Sequence, residues 1–275
     1  MCRMIESNPY PPLAADLLSK RAELTPDRVG LVEVANGVAY TYGQLNTRAN
    51  RLANWLLSLG VQKGDRVSLL AQNSIHTVDL LFGLAKIGAI LAPLNWRLTA
   101  RELAYIAGDC APKVMVCGPE YAGLLAEMRL ELNIPIVVAI EGAAIDGALD
   151  YETCVAGAPE TEPQRPPLTG EDVCCILYTS GTTGRPKGAM ISHRQVIWNC
   201  INTVISWGLR ADDVSPIMTP MFHAGGLFVF LTPLFYVGGK ILLGRSFDSE
   251  ASLDLIQRES CTVVLGVPTL FQMWM

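Results

Sequence analysis

Between Arg66 and Ile140, short apolar runs alternate with stretches of helical periodicity, and this rhythm restricts the fold more than any other feature of the chain. "RVSLLAQ", "AILAPLN", "KVMV" and "IPIVVAI" are too short for typical helices and mostly lack the polar alternation of a half-solvated strand. They read as strands buried on both faces, joined by crossovers of helical length, which makes the neighbouring strands parallel. Helix boundaries are marked: Ser74 and Gly88 bracket one helix, Thr99 and Glu102 form a capping box before "ELAYIAGDC", and a further helix is expected near Tyr121 to Leu132.

Upstream, Asn36-Gly37 between "GLVEV" and "VAYTY" predicts a hairpin. Thr41 and Gln44 form another capping box, after which Leu45, Ala49, Leu52, Ala53 and Leu56 share one helical face until Gly60. From Glu141 to Asp172 the chain carries eight acids against one base, with four prolines and four glycines, and is expected to be a solvated surface connection. "TVVLGVPTLFQMWM" reads as a strand and then a helix from Pro268. The absence of a C-cap before Met275 leads to the expectation of a truncated chain.

With 50% hydrophobic and 17% charged residues and a net charge of −5, neither disorder nor electrostatic nucleic-acid binding is favoured, and small molecules are the expected partners. The eight cysteines are scattered without a C-x-x-C pair, as expected of reduced, mostly buried thiols. No metal site is visible in the spacing of His76, His193 and His223. The N-terminus has no signal-peptide core, so a cytoplasmic location is expected. The uncharged stretch between Asp213 and Lys240 is interrupted by Pro216, Pro220, Pro233 and two Gly pairs. A buried helix fits it better than a membrane span, which needs about 20 predominantly apolar residues.

One segment breaks the apolar rhythm. After the strand-like run Val173 to Tyr178, ten residues hold Thr179, Ser180, Gly181, Thr182, Thr183, Gly184, Arg185, Pro186, Lys187 and Gly188. The Ser192/Gln195 capping box then opens a helix, so the loop is expected at a strand exit ahead of that helix. Its glycines permit close backbone approach, its hydroxyls add donors, and Lys187 adds a mobile positive charge, a combination suited to polyphosphate. It is not a Walker A loop, because Lys187 follows a proline and precedes a glycine. A solvated surface loop has the same composition.

"YTSGTTGRPKGAMISHR" resembles the phosphate-binding signature of the adenylate-forming superfamily, which includes acyl- and aryl-CoA synthetases, luciferases and peptide-synthetase adenylation domains. "YTYGQLNTRANRLANWL", "LAKIGAILAPLNWRLTARELAYI", "PMFHAGGL" and "GVPT" resemble further family segments in the same order. "PLNWRLTARELAYI" is most similar to fatty-acyl and related carboxylate–CoA ligases.

The resemblance implies an α/β fold with two mostly parallel sheets flanked by helices, the second incomplete. Residues near 60–212 would form a first subdomain, and residues 1–59 with 213–275 part of a second; the C-terminal domain has no counterpart. It implies that a carboxylic acid attacks the α-phosphate of ATP, after which CoA displaces AMP. Thr179, Ser180, Gly181, Thr182, Thr183, Gly184, Lys187 and Gly188 would hold phosphates alongside Mg²⁺. His223, with Gly225, would border the acyl pocket, whereas residue type alone makes His223 an ordinary core histidine. His193 is expected at a helix start and His76 on a helix surface. Alternatives are an acyl-AMP ligase loading a carrier protein and a non-catalytic nucleotide-binding or interaction fragment. The chain alone is expected to lack full activity.

Overall fold

A computed structural model describes residues 13–179 and 185–275. Helix α1 (Ala14–Leu24) precedes a hairpin of β1 (Val29–Glu33) and β2 (Ala39–Thr41). The turn falls on Asn36-Gly37: Gly37 adopts φ +71°, and Asn36 Oδ1 accepts from Val38 N–H at 2.9 Å. A reciprocal Thr41/Gln44 box opens α2 (Tyr42–Ser58), whose Leu45, Ala49, Leu52, Ala53 and Leu56 are all buried.

Then follow β3 (Arg66–Leu70), α3 (Ile75–Ile87), β4 (Ile90–Pro93), α4 (Ala100–Cys110), β5 (Val114–Cys117), α5 (Ala122–Met128) and β6 (Ile136–Ala139). Gly88 closes α3 in the left-handed region, and the Thr99/Glu102 box opens α4. Next come β7 (Leu149–Asp150), α6 (Tyr151–Ala156), β8 (Val173–Thr179), β9 (Lys187–Ser192) and α7 (His193–Trp207). β10 (Val214–Ile217) leads through a π-helical turn, Gly225–Val229, to α8 (Leu231–Val237), β11 (Lys240–Leu243), α9 (Ser249–Arg258) and α10 (Pro268–Trp274).

The strands form two sheets, ordered β7-β6-β5-β3-β4-β8-β9 and β10-β11-β1-β2. Both are parallel except at one edge, where β9 runs antiparallel to β8 and β2 to β1. This is the expected α/β architecture. The connection leaving β4 crosses back over β3 to β5, whereas the chain leaving β8 turns the other way to β9, so the connections diverge between β4 and β8. In open α/β sheets such a divergence leaves a crevice beyond the carboxyl ends of the strands. One core runs from Val67 and Leu91 of the larger sheet through Leu80 and Leu84 of α3 to Leu31 and Ile241 of the smaller, and a second packs Leu103, Ile106 and Leu125 of α4 and α5 against Met115 and Cys117 of β5.

Every residue of α3 is buried, which corrects the surface position expected for His76. Each ionisable side chain of the helix finds a partner. His76 Nε2 lies 2.8 Å from Glu152 Oε1, Asp79 accepts from Arg48 and Tyr151, and Lys86 Nζ donates to Glu162 Oε2 at 2.7 Å. Two of these partners, and the fully buried Tyr151, come from the segment expected to be a free acidic connection. That segment is partly solvated but pinned: it supplies β7 and α6, and Asn50 and Asn54 of α2 donate to the carbonyls of Glu160, Pro159 and Thr161. Two of its carboxylates, Glu152 and Glu162, meet polar side chains of an interior helix, which composition alone does not reveal.

Residues 262–267 form no strand, contrary to the sequence reading. Thr262 and Val263 N–H both reach the single carbonyl of Val214, so no ladder develops. Pro268 does begin α10. The uncharged stretch before Lys240 is broken into β10, the π turn and α8, and among the described residues no helix is long and apolar enough to cross a membrane.

Candidate active site

β8 carries Thr179 to the carboxyl end of the larger sheet, and the chain returns along β9, pairing Thr179 with Lys187 and Tyr178 with Gly188. The loop therefore leaves a strand ahead of α7, as expected, with the unforeseen β9 between loop and helix. "KGAMIS" lacks an apolar signature because β9 is an edge strand with Lys187, Gly188, Ala189 and Met190 exposed. Thr179 Oγ1 is 3.5 Å from Lys187 O. At Gly188 a Cβ would lie 2.8 Å from Ile176 Cγ2 and 3.2 Å from Tyr178 Cζ, so a side chain there would crowd the hairpin packing. Ser180, Gly181, Thr182, Thr183 and Gly184 lie outside the described residues.

A cleft of about 760 Å³ opens at the carboxyl ends of β4 and β8, where the connections of the two strands diverge. Thr179, Arg185 and Pro186 border it from the hairpin, and Phe222 and His223 face them. Leu98, Tyr105 and Ile106 supply much of its apolar wall, and Arg101 adds positive charge. Lys187 does not line the cleft but directly follows Arg185 and Pro186, which do. Tyr178 donates to Asp109 Oδ2 at 2.6 Å; burial and that carboxylate hold its hydroxyl in the protonated form.

Trp96, Arg97 and Phe222 were not singled out by sequence reasoning. The Trp96 ring stacks on Tyr121 at 5.8 Å and meets Phe222 edge-on at 5.7 Å, while the Arg97 guanidinium lies 4.9 Å from the Trp96 ring centre. The aromatic residues within "PLNWRLT" and "PMFHAGGL" were the available signal. His223 packs on Phe222 at 4.4 Å and is exposed toward the cleft. Partial burial and the nearby Arg97 lower its pKa, favouring a neutral ring.

The segment bearing His223 is anchored by Asn73, at the exit of β3. Asn73 Oδ1 accepts from Met221 N–H at 2.9 Å, and its Nδ2 donates to the carbonyls of Thr219 at 3.0 Å and Gly244 at 3.2 Å. At Gly225 a Cβ would meet only Leu265 Cδ2, at 3.7 Å. Gly226 is the constrained position, because its Cβ would lie 2.7 Å from Pro220 O and 2.9 Å from Met221 Cα.

His193 begins α7 as expected, but its fully buried ring has no hydrogen-bond partner among the described residues, and burial pulls its pKa to about 4. No described group of three His, Cys, Asp or Glu side chains is disposed to hold a metal ion, so the described residues do not define a site for the Mg²⁺ implied by the resemblance.

The cleft lies where the connections leaving β4 and β8 diverge, the position at which open α/β sheets form binding crevices. Residues 18–275 match the AMP-binding enzyme family, and the chain belongs to it. It is 36% identical over 256 residues to feruloyl-CoA synthase from Amycolatopsis sp, covering 92% of this chain and 48% of that protein. Fatty acid–[acyl-carrier-protein] ligase ScoC from Streptomyces coeruleorubidus is 33% identical over 245 residues, covering 87% and 45% respectively. The fold is similar to that of ATP-bound MatB from Rhodopseudomonas palustris, with TM-score 0.79 and 31% identity over 94% of this chain and 50% of that one. The chain spans about half the length of the curated relatives it matches.

Proposed function

We propose that this chain forms the nucleotide- and acid-binding portion of an AMP-forming acid–CoA ligase. The observation that carries the reading is the single cleft bordered by Thr179, Arg185 and Pro186 on one side and by Phe222 and His223 on the other. In this reading the hairpin loop, including Ser180, Gly181, Thr182, Thr183 and Gly184, with Lys187, holds the β- and γ-phosphates of ATP, and Gly188 shapes its backbone. His223, followed by Gly225, borders the carboxylic acid. The acid oxygen attacks the α-phosphorus as the bond to pyrophosphate breaks, and the CoA thiol then attacks the acyl carbonyl carbon and displaces AMP. Positive charge beside the departing pyrophosphate stabilises the first step. Residues near 60–212 form one subdomain, and 1–59 with 213–275 part of another. The seven described cysteines are free thiols, in keeping with a reducing, cytoplasmic setting.

In the full-length protein, Lys187→Ala slows acid-dependent pyrophosphate exchange by about a hundredfold, the scale of losing one preorganised charge-stabilising group. Thioester formation from supplied acyl-adenylate stays within about twofold of wild type. Equal losses in both steps in a folded variant would remove Lys187 from the phosphate role. The similarity to a carrier-protein ligase gives a second reading, transfer to a phosphopantetheinyl carrier. AMP release with carrier but not with free CoA would favour it.

A further inference from the structure

We propose that Asn199 is a positioning residue for this cleft: its side-chain amide replaces the backbone donor that Pro233 lacks and fixes the π-helical turn behind His223. The proposal rests on the functional reading of the cleft given above. In π-helical register a carbonyl accepts from the N–H five residues on. For Phe228 that residue is Pro233, which has no N–H. Pro233 is otherwise tolerated there, because it stands in the first turn of α8, where backbone donors have no partner within the helix.

At the start of α8, Leu234 N–H donates to Phe230 O at 2.9 Å. The Phe228 carbonyl is taken by Asn199 Nδ2 of α7 at 2.6 Å. Phe228 is buried, so losing this donor would leave a desolvated acceptor without its partner.

The turn is coupled to the cleft wall through backbone. Gly226 N–H donates to His223 O at 3.1 Å. Gly226 packs so closely on Pro220 and Met221 that no side chain intervenes. A shift of the turn therefore displaces the segment carrying Phe222 and His223. Asn73 holds that segment at Thr219 and Met221, and Asn199 holds the turn at Phe228.

The test uses full-length protein carrying Asn199→Leu, Asn199→Asp, Pro233→Ala and the Asn199→Leu/Pro233→Ala pair. Asn199→Leu is expected to lose about tenfold in kcat/KM for carboxylic acids, the scale of one buried hydrogen bond, with KM for ATP changed by less than about twofold. The His223 ring signal in histidine-labelled NMR spectra, assigned by its loss in His223→Gln, is expected to shift. Pro233→Ala restores an N–H at the missing position and is expected to return both readouts most of the way in the double variant. Asn199→Asp keeps the size but sets an acceptor against the carbonyl, and gives the same loss if Asn199→Leu does not fold.

An unmoved His223 signal in a folded Asn199 variant, or no recovery in the double variant, overturns the proposal. If the wild-type protein shows no acid-dependent reaction, the functional reading fails, while the His223 signal and its rescue still decide the role of Asn199.

Discussion

Asp79→Asn tests how a helix bearing ionisable side chains can lie wholly inside this fold. Asp79 is 1% exposed. It receives Arg48 Nε at 3.1 and 3.0 Å, Arg48 Nη2 at 2.6 Å and the Tyr151 hydroxyl at 2.9 Å. An asparagine offers one acceptor oxygen and an NH₂ group, so at least one of these donors would face another donor. Removing one partner of a buried ion pair typically costs about 3–5 kcal/mol. Here the Arg48 side chain is 21% exposed and Glu152 Oε1 lies 3.7 Å away, so part of its charge remains compensated. The expected loss is therefore about 2–4 kcal/mol, or roughly 5–15 °C in Tm for a domain of this size. Thermal melts and urea titrations of full-length protein measure it, alongside Arg48→Met, Asp79→Leu and the pair. The pair should be less destabilised than the sum of the single variants, because neither charge is left alone. A Tm within about 2 °C of wild type for Asp79→Asn, or strict additivity in the cycle, would refute this account.

His193 gives the chain an acid-sensitive interior. Its folded pKa of about 4 lies below the ordinary 6.5, so the unfolded chain binds the proton first and stability falls as pH drops from about 6.5 toward 4, by on the order of 3 kcal/mol in all. His193→Leu should flatten that part of the stability–pH profile in urea titrations, and an unchanged slope would count against the assignment. Gly188→Ala should lower stability by about 1–3 kcal/mol through overcrowding of Ile176 and Tyr178; unchanged stability with lost adenylation would assign the glycine to ligand approach alone. His223→Ala should change stability by less than about 0.5 kcal/mol, since its ring is exposed and makes no hydrogen bond with described residues, yet alter relative kcat/KM among acids of different size by about tenfold. Proportionate losses across the acid series would remove it from substrate selection.

The layers of the fold were legible because strands buried on both faces require apolar runs and helix starts require caps. Thr41/Gln44, Thr99/Glu102 and Ser192/Gln195 all form the reciprocal boxes their spacing implies. What stayed hidden depended on partners far away in sequence. His76, Asp79 and Lys86 look like the polar side of a surface helix until Glu152, Arg48 and Glu162 are brought to them. β9 was invisible because an edge strand paired on one side need not be apolar. The site divides in the same way: the loop and "PMFHAGGL" were readable as local motifs, whereas Asn73 and Asn199 act through backbone groups and no motif marks them.

The two walls of the cleft are held differently, and this assigns them different consequences. The His223 wall is fixed at two points, by Asn73 drawing the Thr219 and Gly244 carbonyls together and by Asn199 on the π turn. The opposite wall stands on an edge hairpin whose β9 strand has a sheet neighbour on one side only. A wall locked by buried hydrogen bonds can discriminate between ligands by shape, because yielding to a misfit would break bonds the interior cannot replace. In the proposed function the hairpin wall, with Thr179, Arg185 and Pro186, meets the phosphates of ATP, whose charge is the same for every acid. Substitutions at the locked wall should therefore change which acid is preferred, while those at the hairpin change the rate of the step all acids share.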